Sequence, residues 1–259
     1  MKTLGFIGMG NMAKAIAEGI IKSGKKRGED LYAFAPNQDK LKKNAEAIGF
    51  VPCASMEELL QASDTLLMAC KPYQVEEILR QYKEGFKGKA LLSVAVGWDF
   101  AAYAKLVDSS TRVQFIMPNT PAMVSEGVML FEQTSSLEKK EKEEVKELFS
   151  VLGLVEELPT HLMGIGGALT GCGPAFVDMI IEALGDVGVK YGLPRAQAYA
   201  LVSQMILGSA KLQRETGEHP GVLKDNVCSP AGTTIRGVGA LERAGLRAAF
   251  LDAVDAIMK

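Results

Sequence analysis

A short apolar run, Leu4-Gly5-Phe6-Ile7, breaks at Gly8-Met9-Gly10, and behind it Ala13, Ile16, Ala17, Ile20 and Ile21 recur at helical spacing between Met12 and Lys22. Strand, tight turn and helix in that order restrict the fold more than any other feature of the chain. Gly8-x-Gly10-x-x-Ala13 is the form of turn that brings a dinucleotide's pyrophosphate against the backbone at the start of a helix. Gly8 serves the sharp turn, Gly10 the close approach of backbone to phosphate, and Ala13 the packing of helix on strand. Asn11 and Met12, in the first helical turn, join Gly8 and Gly10 as cofactor-binding candidates. Alone, such a motif is a weak signal. At the first strand–helix junction of an alternating pattern it is a strong one, and a glycine-rich turn with no ligand is the alternative.

The alternation continues. Leu31 to Ala35 is a second apolar run, stopped by Pro36, and a Lys-rich helix from Asp39 to Ile48 follows. Thr65 to Cys70, Ala90 to Val96 and Val113 to Met117 read as further buried strands, and the highly charged Glu138 to Leu152 reads as a helix covering one face or edge. Short apolar strands between helices predict an α/β fold, a Rossmann-like parallel sheet with right-handed crossovers. After about residue 160 strand-like runs disappear. Helices are expected over Pro174 to Tyr191, Arg195 to Arg214, Thr233 to Ala244 and Leu246 to Met258. The expected domains are therefore 1–160, dinucleotide-binding, and 161–259, all-helical.

In the first of those late helices the polar residues Asp178, Glu182, Asp186 and Lys190 fall every fourth position on one stripe, and the rest is apolar or glycine. A helix apolar over most of its circumference is buried on several sides. The next helix is rich in Ala, Ser and Gly. The helical half could not bury this much surface alone, which implies a tight homodimer; cover by the sheet domain is the alternative.

Composition excludes several classes of partner. With 259 residues and a net charge of −2, and with no basic block, there is no footprint for nucleic acid or an anionic membrane surface. No apolar run reaches the roughly 18 residues that span a bilayer, and the N-terminus leads into a strand with no signal-peptide pattern. Cys53, Cys70, Cys172 and Cys228 are scattered, without zinc spacing, so no metal site is expected and reduced thiols in the cytoplasm are the plain reading.

The second strand leads to Ala35-Pro36-Asn37, without the carboxylate that NAD enzymes use for the ribose 2′-hydroxyl. Its absence removes a repulsion against a 2′-phosphate, and Lys40, Lys42 and Lys43 lie just beyond, so NADPH is favoured, with NADH possible. A solvated helix face is the alternative for those lysines. Lys71-Pro72 closes the strand that carries Ala69, and Met117-Pro118-Asn119-Thr120-Pro121 ends a later one, both at the edge where ligands of such sheets bind. Thr170-Gly171-Cys172-Gly173-Pro174 is a second glycine-rich lead into a helix. Cys172 lacks a base to act as a nucleophile, because His161 and His219 read as structural. The best substrate site is Ser229-Pro230-Ala231-Gly232-Thr233-Thr234, which opens a helix and offers backbone N–H groups and hydroxyls to a small anion. Charge-assisted bonds of that kind contribute roughly 1.5–3 kcal/mol each. Ordinary N-capping is the alternative.

Together these segments resemble pyrroline-5-carboxylate reductases. The likeness is carried by Phe6 to Ala13, Lys71-Pro72, Met117 to Pro121, Gly171-Cys172-Gly173-Pro174-Ala175, and the run from His219-Pro220 through Leu223-Lys224-Asp225-Asn226-Val227 to Ser229-Pro230-Ala231-Gly232-Thr233-Thr234-Ile235. The resemblance implies a helical dimerisation domain of the 6-phosphogluconate dehydrogenase type. It also implies hydride transfer from NAD(P)H to the imine of 1-pyrroline-5-carboxylate, giving L-proline. On that reading Ser229, Gly232, Thr233 and Asn226 bind substrate and Thr234 bonds the ring nitrogen. Asn37, Ala69, Lys71 and Asn119 join the glycine turn around the cofactor, and each site draws on the partner subunit. The family pattern has serine where Cys172 stands, tyrosine at Phe176, glycine at Ala231 and often asparagine at Met56. A 3-hydroxyacid dehydrogenase of similar plan would be expected to place a catalytic lysine in the Pro174 helix, which here has Asp178 and Glu182, with Lys190 only at its far end. A non-catalytic dinucleotide sensor would not need the second anion site.

Overall fold

A computed structural model describes residues 1–259. The chain divides into two compact units, Met1–Gly171 and Cys172–Lys259. The division falls inside the helical stretch after residue 160, not ahead of it, because the first turns of that stretch pack on the sheet.

In the first unit β1 (Leu4–Ile7), α1 (Asn11–Lys22), β2 (Leu31–Phe34), α2 (Gln38–Ile48), β3 (Val51–Pro52), α3 (Met56–Ala62), β4 (Thr65–Met68), α4 (Pro72–Gln81), β5 (Ala90–Ser93), α5 (Phe100–Ala104) and β6 (Arg112–Pro118) alternate, as the hydrophobic pattern predicts. The strands stand in the order β3-β2-β1-β4-β5-β6, all parallel, and β1, β4 and β5 are buried at every residue. Such strands need cover on both faces. Ile16, Ile20, Leu41 and Phe149 supply it on one side, and Leu59, Val75, Leu79 and Tyr103 on the other.

Two strands extend the sheet beyond what the sequence pattern led us to expect. β7 (Gly127–Glu132) pairs antiparallel with β6, and β8 (Gly153–Leu158) pairs parallel with β7 across α6 (Lys139–Phe149). The link from β6 to β7 is only a 3-10 turn, Thr120–Val124, followed by Ser125 at φ +62. So short a link cannot carry a parallel crossover, and the strand must return antiparallel. The charged segment expected over Glu138 to Leu152 is α6 followed by a 3-10 turn, Ser150–Leu152.

Helix α7 (Met163–Gly167) lies flush on this extension. A Cβ on Gly166 would come within 2.5 Å of Leu158 Cδ1, and one on Gly167 within 2.4 Å of Met117 Sδ. The chain then passes through a π-turn, Ala168–Cys172, into α8 (Gly173–Lys190). From Thr160 to Lys190 the stretch is long and apolar enough, at a mean hydropathy of 1.4, to cross a membrane by length and composition alone. Alanine and the larger aliphatic residues keep the average high between the scattered polar residues, and the core helix of a soluble protein passes the same test.

The second unit continues with α9 (Arg195–Thr216), α10 (Pro220–Asn226), α11 (Thr233–Arg243) and α12 (Leu246–Met258). Helices α8 and α9 pack closely: a Cβ on Gly185 would come within 2.4 Å of the Tyr199 ring, and one on Gly188 within 2.8 Å of Ala198. Gly185 and Ala198 are nevertheless the only buried residues of the unit.

Candidate active site

The carboxyl ends of β1 and β4 lie side by side where the strand order reverses, and open α/β sheets bind ligands in that crevice. Gly8 ends β1 at φ +95, and a Cβ there would sit 3.0 Å from the Ala69 carbonyl oxygen and from Cys70 Cα. Conformation and space both require glycine. Gly10 differs. Its φ of −80 suits any residue, and a Cβ on it would meet nothing within 4 Å. The fold has no use for a glycine at this position. The room it leaves opens on the N-terminus of α1, which no side chain caps. The amides of Asn11, Met12 and Ala13 lack intrahelical acceptors there, and with the helix dipole they suit a pyrophosphate. The residues present therefore fit a dinucleotide.

Along the same edge, Asn37 is exposed after β2, and its Oδ1 accepts a 2.9 Å hydrogen bond from the Lys40 amide, capping α2. No carboxylate stands between Phe34 and Asn37; Asp39 follows in the first turn of α2. Lys71 is exposed at the start of α4, its backbone N–H donating to Gln74 Oε1 at 3.2 Å. Burial pushes the Cys70 thiol up to about 11, so this neighbour of Gly8 is neutral near pH 7 and adds no charge against a phosphate. Sequence reasoning missed the brace beneath: Trp98 Nε1 donates to the Pro72 carbonyl at 3.0 Å, and Tyr103 Oη donates to buried Ser93 Oγ at 2.7 Å. Desolvation holds the Tyr103 hydroxyl far above its usual range. Only the contacts expose this brace, since nothing in the spacing pairs Trp98 with Pro72.

Asn119 lies at the end of β6 but faces inward, only 7% exposed. Its Nδ2 donates to the Thr170 carbonyl at 2.9 Å and its Oδ1 accepts from the Val128 amide at 2.8 Å. This differs from the outward-facing amide expected of a cofactor ligand.

In the second unit α10 ends at Asn226, and the loop to α11 turns back on itself. Gly232 N–H donates to the Ser229 carbonyl at 3.0 Å, and a Cβ on Gly232 would come within 2.3 Å of Ser229 Oγ. Gly232 is the N-cap of α11, and no side chain caps it. The amides of Thr233, Thr234 and Ile235 are thus free for an anion, and the Thr233 and Thr234 side chains are exposed beside them. Asn226, Ser229, Gly232, Thr233 and Thr234 are brought to one loop, with Asn226 and Ser229 exposed. Ala231 stands at φ +59, in the left-handed region. His219 caps α10, its Nδ1 accepting from the Gly221 amide at 3.0 Å, a structural role.

Comparison with known proteins decides what these features amount to. The model for pyrroline-5-carboxylate reductase dimerisation matches residues 160–259, and that for NADP oxidoreductase, coenzyme F420-dependent, matches residues 3–97. A pyrroline-5-carboxylate reductase of Treponema pallidum is 42% identical, over 98% of this chain and 98% of that protein. The Escherichia coli protein of that name is 36% identical over 100% of this chain and 96% of its own. The chain belongs to the pyrroline-5-carboxylate reductase family. The Plasmodium falciparum pyrroline carboxylate reductase, solved with NADP bound, superposes with a TM-score of 0.88 at 32% identity, covering 98% of this chain and 95% of that one. The Coxiella burnetii pyrroline-5-carboxylate reductase gives 0.90 at 28%, covering 99% and 96%. The fold is accordingly a Rossmann-like parallel-sheet domain followed by a helical dimerisation domain.

Three of the positions at which the sequence departs from the expected family pattern are placed as follows. Ala231 occupies a backbone conformation that favours glycine. Met56 is the first residue of α3 and is buried in the core. Cys172 closes a π-turn within a continuous helical stretch, so it does not stand at a free helix N-terminus.

Proposed function

We propose that this chain reduces 1-pyrroline-5-carboxylate to L-proline, with NADPH as the preferred hydride donor and NADH as an alternative, and that it works as a homodimer. The carrying observation is the Ser229–Thr234 loop: an uncapped helix terminus, Ser229 Oγ against Gly232, and the exposed Thr234 hydroxyl in the first turn. That loop suits a small carboxylate held beside a polar reacting atom.

Ser229 and the amides around Gly232 and Thr233 hold the carboxylate, with Asn226 beside them. Thr234 hydrogen-bonds the ring nitrogen. Gly8, Gly10, Asn11 and Met12 cradle the pyrophosphate, with Asn37, Ala69 and Lys71 along the same edge. When bound there, the cofactor would supply a hydride from its nicotinamide C4. As the imine carbon gains that hydride, the ring nitrogen takes the C=N π electrons, and the protonated imine becomes a secondary amine. An iminium is electrophilic already, so no strong general acid is needed, and neither histidine has to serve as one. Catalysis rests mainly on positioning, an effect that reaches roughly 7–11 kcal/mol.

The homodimer is supported by the apolar side chains left exposed in the second unit, among them Met179, Leu201, Leu207, Leu251 and Met258. The stripe of Asp178, Glu182, Asp186 and Lys190 would keep one edge of α8 in water. Four free cysteines suit a reducing cytoplasm.

The test follows 340 nm absorbance and proline formation with pyrroline-5-carboxylate and either cofactor. Proline formation, with a higher kcat/KM for NADPH, is expected. No proline, with both ligands bound, would overturn the reading in favour of another imine or a sensor. Thr234→Ala should lower kcat/KM roughly tenfold or more, since hydrogen bonds to charged groups contribute about 1.5–3 kcal/mol, while leaving NADPH affinity unchanged. An undiminished kcat/KM would remove Thr234 from the mechanism.

A further inference from the structure

We infer that Asn119 is a positioning residue for the reaction: its amide supplies the hydrogen bond that Pro174 cannot, and so fixes the π-turn Ala168–Cys172 to the end of β6. In an α-helix the Thr170 carbonyl would accept from the amide of residue 174. Proline has no N–H to give, and its ring crowds the carbonyl four residues back. A stray carbonyl and one inserted residue are what a π-turn accommodates, and such turns concentrate at functional positions. Here Asn119 Nδ2 meets the Thr170 carbonyl at 2.9 Å, on a side chain only 7% exposed. The other end of the amide is fixed as well, with Oδ1 accepting from the Val128 N–H at 2.8 Å. One partner is a donor and the other an acceptor, so the amide has a single satisfying orientation. Thr170 Oγ1 adds a 2.9 Å bond to the Gly166 carbonyl one turn back. The glycines of α7 press on Met117, Leu130 and Leu158 just before the turn.

The turn is thereby tied at Thr170, in its middle. Gly171 and Gly173 flank Cys172, and a Cβ on either would meet nothing within 4 Å. Packing does not hold this glycine segment in place; the Asn119 bond is what fixes where it leaves the sheet. Asn119 therefore acts through the Thr170 carbonyl and not on the cofactor. Its effect on turnover rests on the proposed reaction, whereas its effect on the turn does not.

Asn119→Asp separates the two bonds. A carboxylate still accepts from Val128, but it sets an oxygen against the Thr170 carbonyl. Asn119→Ala removes both. Three readouts apply to the full-length protein: amide hydrogen exchange over residues 168–173, NADPH affinity from quenching of Trp98, the single tryptophan, and kcat and KM for pyrroline-5-carboxylate. In both variants exchange across the turn should quicken by about tenfold or more and NADPH affinity should stay within about twofold. The kcat should fall by roughly an order of magnitude, as expected for misplacement of groups that position a reactant. Wild-type exchange and kcat in Asn119→Asp would overturn the inference, leaving the Val128 bond as the one that matters. So would a tenfold loss of NADPH affinity with kcat intact at saturating cofactor, which would make Asn119 a cofactor contact. If the wild-type protein makes no proline, exchange alone still decides between a pinned and an unpinned turn.

Discussion

The two units are built of equally apolar sequence but use it differently. In the sheet unit Phe6, Ile16, Leu67, Leu92 and Phe131 are wholly buried, and the apolar residues left outside are few and scattered. In the helical unit only Gly185 and Ala198 are buried, while Leu207, Leu212, Leu241 and Leu251 stay more than half exposed. A sheet covered on both faces closes a core within one chain. Long helices with several apolar faces do not, and they require a partner surface. The difference teaches that side-chain chemistry alone does not say whether a segment is complete; its geometry must be able to enclose what it carries.

The sharpest way to break that comparison is Leu207→Asp. A truly solvent-facing position would tolerate it within about 0.5 kcal/mol. Covered by a second copy, it should abolish the dimer and lower the melting temperature steeply, as sedimentation velocity and thermal denaturation would record. A dimer of wild-type stability would mean that this face is not the covered one.

Within the sheet unit, Gly8 and Gly10 can be set against each other. Gly10→Val enters open space, so the fold should persist while NADPH affinity drops by about a hundredfold or more, of the order expected when a bulky group blocks a phosphate–amide contact. Gly8→Ala meets backbone at 3.0 Å in a left-handed conformation, so it should destabilise the unit itself. Fluorescence titration and denaturant unfolding distinguish the two. Equal losses of stability would show that Gly10 also serves the fold.

A third measurement uses pH. Burial raises the Cys53 and Cys70 thiols from 9.0 to about 11, with Glu58 adding to the effect at Cys53. Below pH 9 both are neutral in the folded and unfolded chain, and their contribution is fully present. Between 9.0 and about 11 the unfolded chain loses these protons first, so stability should fall as pH rises through that window. Replacing both by alanine should flatten this limb of the curve, and an unchanged slope would assign it to other groups.

The smallest effect is expected at Ala231. A left-handed alanine costs about 1 kcal/mol more than a glycine there, partly offset by glycine's greater freedom when unfolded. Ala231→Gly should therefore raise the melting temperature by no more than about 2–4 °C, and Ala231→Val should lower it. A loss of stability in the glycine variant would mean that another contact fixes the loop.

Much of this architecture was legible in the sequence. The β1–Gly8–α1 turn, the parallel strands and the late helices all follow from periodicity, because each is a long or strongly patterned segment. Strands β7 and β8 were not, since Gly127–Glu132 and Gly153–Leu158 are short, polar in part, and defined by pairing with distant β6. The loop from Ser229 to Thr234 could be read as an anion site, yet the left-handed Ala231 could only be asked about, as alanine gives no signal of positive φ. Asn119 was visible as a residue aimed at a sheet edge. Its direction was not, because that depends on a carbonyl fifty-one positions away. Lys71 and Asn37 sit where the strand ends predicted, but what they hold is a matter for ligand binding.

The exposed helical surface also bears on how the molecule is made. A chain emerging from the ribosome delivers the sheet first, and that unit has what it needs to fold before the rest arrives. The helices that follow fully bury almost nothing within one chain, and under the proposed dimer their maturation is a bimolecular event whose rate depends on how much protein is present. Refolding should then show a fast phase indifferent to dilution and a slow one that lengthens with it, and a newly made chain is most vulnerable to proteases during the search for its match.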